Sequence, residues 1–142
     1  MDTPLETSKT QTGLRAHVIF TIGALVLQYV LGMLTNMFVS FPDTTQPDQL
    51  WAAARSQFPS AAHILIGTLL LVSAIVFVVR AAREPQRLWL VSAVVGLIAI
   101  LAAAYGGVMF TSIQVDTYSL VMALAFIVAF VAYGWGLYAT RG

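Results

Sequence analysis

The chain has 142 residues, of which 59% are hydrophobic and only 9% are charged. So few charges cannot cover the surface of a soluble globule, and the composition therefore predicts an integral membrane protein. The few basic residues, with a formal net charge of +1, exclude a nucleic-acid-binding surface. The lack of cysteine excludes disulfides, thiolate metal sites and a cysteine nucleophile.

Four apolar segments predict an up-down bundle of four transmembrane helices. Residues 1–14 are polar and are expected to form a cytoplasmic N-terminal tail. Residues 15–142 form the transmembrane domain, because each apolar segment reaches the roughly 20 residues that cross a bilayer. The helices are expected at residues 15–39, 60–80, 88–110 and 117–138. Polar side chains inside the helices predict hydrogen bonds between helices. These side chains are Gln28, Tyr29, Asn36 and Tyr105.

The first outer loop, residues 40–60, is predicted to contain a short amphipathic helix at the membrane interface. Asp48 is expected to cap this helix, and Ser60 is expected to cap the second membrane helix, since both residue types are favoured N-caps. The residues expected on the apolar face of the short helix are Trp51, Ala54 and Phe58.

The distribution of basic residues predicts the orientation. Six of the seven basic residues fall at the same end of a bundle that crosses the membrane four times. They are Lys9, Arg15, Arg80, Arg83, Arg87 and Arg141. Only Arg55 falls at the other end. By the positive-inside rule both termini are cytoplasmic, and in a bacterial plasma membrane the loop 40–60 faces outward.

His63 is the single ionisable residue within the second helix before its terminal Arg80. An ionisable group inside the membrane marks a functional site by default. His17 is expected at the cytoplasmic end, among headgroups beside Arg15. Most of the roughly 30 Å hydrocarbon core would then separate the two histidines, so they cannot bind one metal ion.

Methionine and small residues accompany His63 in the outer half of the membrane. The methionines at this depth are Met33, Met37, Met109 and Met122. Their thioethers are soft metal ligands as well as packing groups. Gly67 follows His63 by four residues, and Ala125 and Ala129 follow Met122 along the fourth helix. A flat ring bound between helices would need small residues of this kind, because they leave a smooth helix surface for it to lie against.

Three segments resemble one half of the heme A synthase family: LVLQYVLGMLTNMFVSFPD at 25–43, AHILIG at 62–67 and SLVMALAFIVAF at 119–130. The likeness depends on spacing, on Gln28 and Gly32, and on the position of His63. It would make the chain a half-size, four-helix relative of that family. The resemblance implies a heme held between the outer ends of the second and fourth helices.

Carried onto this chain, the resemblance implies His63 as one axial ligand and Met122 where the family has its second histidine. His/Met ligation raises the reduction potential of heme iron, which suits electron transfer. Two departures argue against the family's enzymatic activity. Ser60 replaces an acidic residue three positions before the histidine, and the first outer loop lacks the cysteine pair often found there.

Three functions remain open from the sequence. The first is a b-type heme-binding protein that transfers electrons or handles heme near the outer face. The second is a copper(I) site made of His63 and two or three methionines. The third is a cofactor-free accessory subunit or oligomeric bundle, in which the methionines are packing residues and His63 bonds to a backbone carbonyl. Whether two copies assemble into a homodimer, and which redox partner they meet, also stays open.

Overall fold

The computed structural model describes the backbone of residues 4–140 and the side chains of residues 11–140. This part of the chain forms five helices and no strand, which confirms the predicted all-α fold. The helices are α1 (Pro4–Phe38), α2 (Pro47–Ser56), α3 (Phe58–Ala81), α4 (Arg87–Ile113) and α5 (Asp116–Ala139).

Four of these helices are long and apolar enough to span a membrane. The spans are Gln11–Phe38, Phe58–Ala81, Arg87–Ile113 and Asp116–Ala139. Their outward faces carry exposed large apolar side chains, among them Phe20, Leu65, Ile98 and Val131. Such faces contact lipid, because hydrocarbon accepts apolar groups and rejects unpaired polar ones. The chain is therefore a multi-pass membrane bundle.

The first helix begins at Pro4 rather than at residue 15. Leu14, which the sequence analysis assigned to the tail, is fully buried against the neighbouring helices. Proline is well tolerated at a helix start, and no later proline interrupts the segment, so the helix extends beyond its apolar core. Residues 1–3 of the predicted tail lie outside the described residues.

The short helix predicted in the first loop is present as α2, and it packs on α3 and α4 at one end of the bundle. Leu50 and Ala54 are buried. The Trp51 indole donates a hydrogen bond from Nε1 to the Ser112 hydroxyl of α4 at 3.2 Å. The predicted apolar face was wrong at Phe58, which is 80% exposed because α2 has already ended and Phe58 opens α3.

Both predicted N-caps were wrong. Asp48 lies in the first turn of α2, whose N-cap is Gln46. Ser60 lies within α3, and its hydroxyl donates to the backbone carbonyls of Ala54 and Gln57. Prolines stand in the first turn of both helices and preset their φ angles, so these starts do not depend on a side-chain cap. Ser60 instead ties α3 to the end of α2.

The spanning helices form a ring in which α1 contacts α3, α3 contacts α4, α4 contacts α5, and α5 closes on α1. The longest interface joins α4 and α5. Small residues allow this close approach, as predicted for α4. A Cβ atom at Gly96 would lie 2.7 Å from Tyr133 Oη, and Gly136 lies against the Ser92 side chain. The Ser92 hydroxyl donates to the Ala132 carbonyl at 2.7 Å.

The bundle is filled unequally along its axis. The backbones of α3 and α5 stand apart over the described residues, on opposite sides of the ring. At the arginine end, defined by Arg15, Arg80, Arg83 and Arg87, large rings bridge this gap. The rings of Phe77 and Tyr133 lie 5.7 Å apart, and Trp89 meets Phe77 edge-on at 6.1 Å. At the opposite end, which we call the His63 end, smaller side chains leave a cavity.

Candidate cofactor site

A cavity of about 310 Å³ lies between the four spanning helices at the His63 end. Trp51 and Ala54 of α2 line it beside residues of all four spans. Among the described residues, none with a formal charge lines it. Its volume is at the lower limit of the roughly 300–1,000 Å³ typical of ligand sites.

The residues predicted to contact a cofactor all line this cavity, and they are His63, Gly67, Met122, Ala125 and Ala129. The first two come from α3 and the other three from α5, so they face one another across the bundle. In each set the residues recur at helical spacing, which places them on one face. The structure therefore brings all five residues to the wall of one cavity.

The hydrogen bonds of His63 define which ring nitrogen carries the proton. Nδ1 lies 3.1 Å from the backbone carbonyl oxygen of Gln28, and a carbonyl can only accept, so Nδ1 donates. Nε2 lies 3.2 Å from the side-chain amide nitrogen of the same Gln28. In the neutral ring Nε2 keeps its lone pair and accepts from this amide. Both contacts with the imidazole therefore come from one residue of α1.

Two glycines make room for this pair. A Cβ atom at Gly32 would lie 3.1 Å from Cε1 of His63, and one at Gly67 would lie 2.9 Å from Nε2 of Gln28. Gly32 stands one turn after Gln28 on α1, and Gly67 stands one turn after His63 on α3. The close approach of the two helices at this depth therefore depends on both glycines.

Met122 lies on the α4 side of the cavity. A Cβ atom at Gly106 would lie 3.1 Å from its Cγ, and one at Gly107 would lie 3.4 Å from its sulfur. The paired glycines thus let the thioether pack close to the α4 backbone. His63, by contrast, is held against α1.

The other methionines are less well placed for one site. Met33 lines the cavity but is 45% exposed, and Met37, which is 67% exposed, is absent from the described lining, as is Met109. The described residues also contain no cluster of three or more histidines and carboxylates that could hold a metal ion. A metal ion here would be coordinated by His63, by thioether sulfur and by ligands that arrive with the ion.

Polar and aromatic contacts join α1 to α5 beside the cavity. The Asn36 amide donates to the Ser119 hydroxyl at 3.5 Å, and Tyr29 stacks on Phe126 with ring centroids 4.9 Å apart. Interhelical hydrogen bonding is therefore confirmed for Gln28 and Asn36. Tyr29 and Tyr105 contact α5 through their rings instead, the latter edge-on to Tyr118 at 6.2 Å.

His17 belongs to a separate cluster at the arginine end. Its Nδ1 accepts from the Arg80 guanidinium at 3.2 Å, and its Nε2 donates to the Ser73 hydroxyl at 3.0 Å. The ring is held between α1 and α3 by these two bonds, which were not predicted, and its position among headgroups beside Arg15 stays a prediction. Ser73 follows His63 by ten residues, about 15 Å along the helix axis, so the two histidines serve different sites as predicted.

The direct pairing of Gln28 with His63 was not predicted from the sequence, which indicated only that Gln28 would bond to some neighbouring helix. A signal was present, since each residue is followed by glycine four positions later, at Gly32 and Gly67. Such matched spacing on two helices indicates faces that pack closely together.

Comparisons with known protein families, with curated proteins and with solved structures find no match for this chain. The resemblance to the heme A synthase family therefore stays a prediction from the sequence. What the cavity binds must be inferred from its own residues.

Proposed function

We propose that this chain is a membrane-embedded b-type heme-binding protein, with His63 Nε2 as an axial ligand of the iron. The observation that carries the proposal is the 3.1 Å contact between His63 Nδ1 and the Gln28 carbonyl oxygen. Because Nδ1 donates to the Gln28 carbonyl, Nε2 is the nitrogen that keeps a lone pair, and His63 stands in the cavity wall. Metal-binding histidines are usually oriented by such a bond from their second ring nitrogen.

The cavity lining suits a porphyrin. Its surface is predominantly apolar, and Gly67, Ala125 and Ala129 offer flat contact to a ring. Its polar lining includes Asn36 and Ser119, which stand within one turn of helix ends, where heme propionates would meet water. Bound heme would supply one-electron chemistry, and the protein's contribution would be to hold and orient it.

Met122 is the best second ligand for such a heme. It lies on the opposite helix from His63 and lines the same cavity. A histidine and methionine pair favours a relatively high reduction potential, so the proposed role is electron transfer or heme handling near the outer face. The proposal assigns no enzymatic reaction to the chain.

The two alternatives account for less of the geometry. A copper(I) site would use His63 with Met33 and Met122, the two methionines that line the cavity within the described chain, but Met33 is 45% exposed. A purely structural subunit explains the packed arginine end and the bond from His63 to the Gln28 carbonyl, as expected for that alternative. A structural role does not explain why an apolar cavity lies beside His63.

Replacing His63 tests the proposal. Purified protein titrated with hemin is expected to develop a Soret band and, after dithionite, sharp α and β bands. His63→Ala should lower heme affinity by about tenfold or more, since an axial ligand is lost. The matched control is His17→Ala, which removes the histidine bonded to Ser73 and should leave the spectrum unchanged. An unaltered spectrum in His63→Ala would contradict the proposal.

We further propose that the chain lies in a bacterial plasma membrane with the His63 end outward and both termini cytoplasmic. The cluster of arginines at the opposite end supports this orientation. Because the chain has no cysteine, Ala52→Cys on α2 and Ala82→Cys after α3 each introduce a single thiol at an exposed site. A membrane-impermeant maleimide should label only Ala52→Cys in intact spheroplasts. Labelling of Ala82→Cys alone would reverse the assignment.

A further inference from the structure

Gln28 makes two contacts with one imidazole, and only one of them needs its side chain. Its backbone carbonyl accepts from His63 Nδ1, and this bond would survive replacement of the side chain. Its side-chain amide donates to His63 Nε2. The second bond is therefore the one that depends on the glutamine side chain.

The side-chain amide occupies the position that any ligand of His63 would take. The neutral imidazole has one lone pair, on Nε2, and it lies in the plane of the ring. While the Gln28 amide donates to that lone pair, a metal ion cannot bind there. Binding at His63 consequently requires the amide to move.

The amide is held weakly enough to move. Its oxygen, Oε1, is buried and has no hydrogen-bond partner among the described residues. A buried acceptor without a partner costs free energy, which offsets part of what the bond to Nε2 contributes. The amide nitrogen packs directly over Gly67, where a Cβ atom would approach to 2.9 Å, so no side chain of that residue holds the amide in place.

We propose that Gln28 is a displaceable cap on His63 and that it determines which class of ligand the cavity accepts. A ligand with a Lewis-acidic metal centre gains the Nε2 bond and can displace a neutral amide. A purely apolar molecule gains no such bond, so the cap stays in place. Gln28 thus acts as a specificity-determining residue that favours a metalloporphyrin over a metal-free ring or a lipid chain. This inference rests on the proposed heme function.

The cap can be tested without heme. Diethyl pyrocarbonate modifies an unprotonated imidazole nitrogen, and mass spectrometry separates modification of His63 from that of His17. In heme-free protein, Gln28→Leu should raise the modification rate of His63 about fivefold, the factor expected for loss of one hydrogen bond. His17 is the internal control, because Arg80 still donates to its Nδ1. Equal His63 rates in Gln28→Leu and wild type would overturn the cap.

Thr35→Val is the matched control variant. Thr35 lines the same cavity from the same helix, but its hydroxyl bonds to the Leu31 carbonyl rather than to His63. The substitution should leave the His63 modification rate at the wild-type value. A rise equal to that of Gln28→Leu would mean that general loosening of the cavity, and not loss of the amide, exposes the imidazole, which overturns the cap.

Titration with hemin and with metal-free protoporphyrin separates this inference from the proposed function. Gln28→Leu should bind hemin about fivefold more tightly than wild type, while its affinity for the metal-free ring stays unchanged. Faster modification of His63 with no hemin binding in either protein would support the cap and reject heme. Equal hemin affinity with equal modification rates would reject the cap and leave the heme proposal intact.

A measurement on the wild-type chain covers the case in which Gln28→Leu does not fold. With ¹⁵N-labelled histidine, the ring resonances of His63 report its tautomer directly. The cap requires a protonated Nδ1 and an unprotonated, hydrogen-bonded Nε2. The opposite tautomer would overturn it, because an Nε2–H group cannot accept from the amide.

Discussion

At the scale of single residues, Gly32 controls the position of the His63 ring. A Cβ atom there would lie 3.1 Å from Cε1, which belongs to a rigid ring held by two hydrogen bonds. The ring cannot shift by a few tenths of an ångström without stretching both bonds. The glycine is therefore part of the site although it offers no functional group.

We expect Gly32→Ala to lower hemin affinity, because the added methyl group pushes the imidazole away from the Gln28 carbonyl that orients it for a metal. Overpacking of this kind typically costs about 1–3 kcal/mol, or roughly five- to a hundredfold in binding. Gly23→Ala is the control on the same helix, since no described atom lies within 4 Å of a Cβ there. Absorbance titration measures both. Equal affinities in the two variants would show that Gly32 does not position the ring.

The sequence was sufficient to single out His63, Met122 and the small residues beside them, because helical spacing and membrane depth can be counted along the chain. It was insufficient to predict the pairing of Gln28 with His63. That contact depends on how far α1 and α3 rotate about their own axes, and packing against the other helices sets this rotation. The bonds of His17 to Ser73 and Arg80 were missed for the same reason.

At the scale of elements, α4 and α5 form the most extensive interface. In this interface a larger side chain of each helix packs against a glycine of the other. Tyr133 packs over Gly96, and Ser92 packs against Gly136. Both glycine positions let the helix backbones approach closely, which is the main source of helix association in lipid. This pair of helices is therefore the stable frame on which Met122 is held.

Gly96→Ala should weaken that frame. The new methyl group would clash with the Tyr133 ring, and we expect the free energy of unfolding to fall by about 1–3 kcal/mol. Gly134→Ala, on α5, is the control because no described atom lies within 4 Å of its Cβ position, and alanine favours helix by up to about 1 kcal/mol. Thermal unfolding in detergent compares the two. A Gly96→Ala variant as stable as Gly134→Ala would contradict the packing assigned to Tyr133.

The ends of the elements were harder to predict than their number. Length and apolarity gave four spans, because a bilayer imposes a minimum helix length. The start at Pro4 was missed because the polar residues before position 15 were assigned to a tail. The start at Phe58 was missed because Ser60 was expected to cap a helix whose first turn contains Pro59 instead. Ser60 illustrates the difference, because its hydroxyl bonds back to α2 rather than capping α3.

At the scale of the whole molecule, the bundle combines a packed half with a hollow half. Phe77, Trp89 and Tyr133 fill the arginine end, whereas residues as small as Gly67 and Ala125 line the cavity at the other end. The packed half supplies the stability that lets the other half remain open to a ligand. The sequence predicted the strips of small residues, but not that α2 would join them as part of the cavity wall.

The visible absorbance spectrum of the purified wild-type protein, oxidised and then reduced with dithionite, tests the central claim most directly. A pyridine hemochrome assay on the same sample identifies the heme type and its amount. The account predicts a Soret band, sharp reduced α and β bands, and about one heme b per chain, consistent with one ligating histidine in one cavity. A preparation that is colourless and stays colourless after addition of hemin would contradict it.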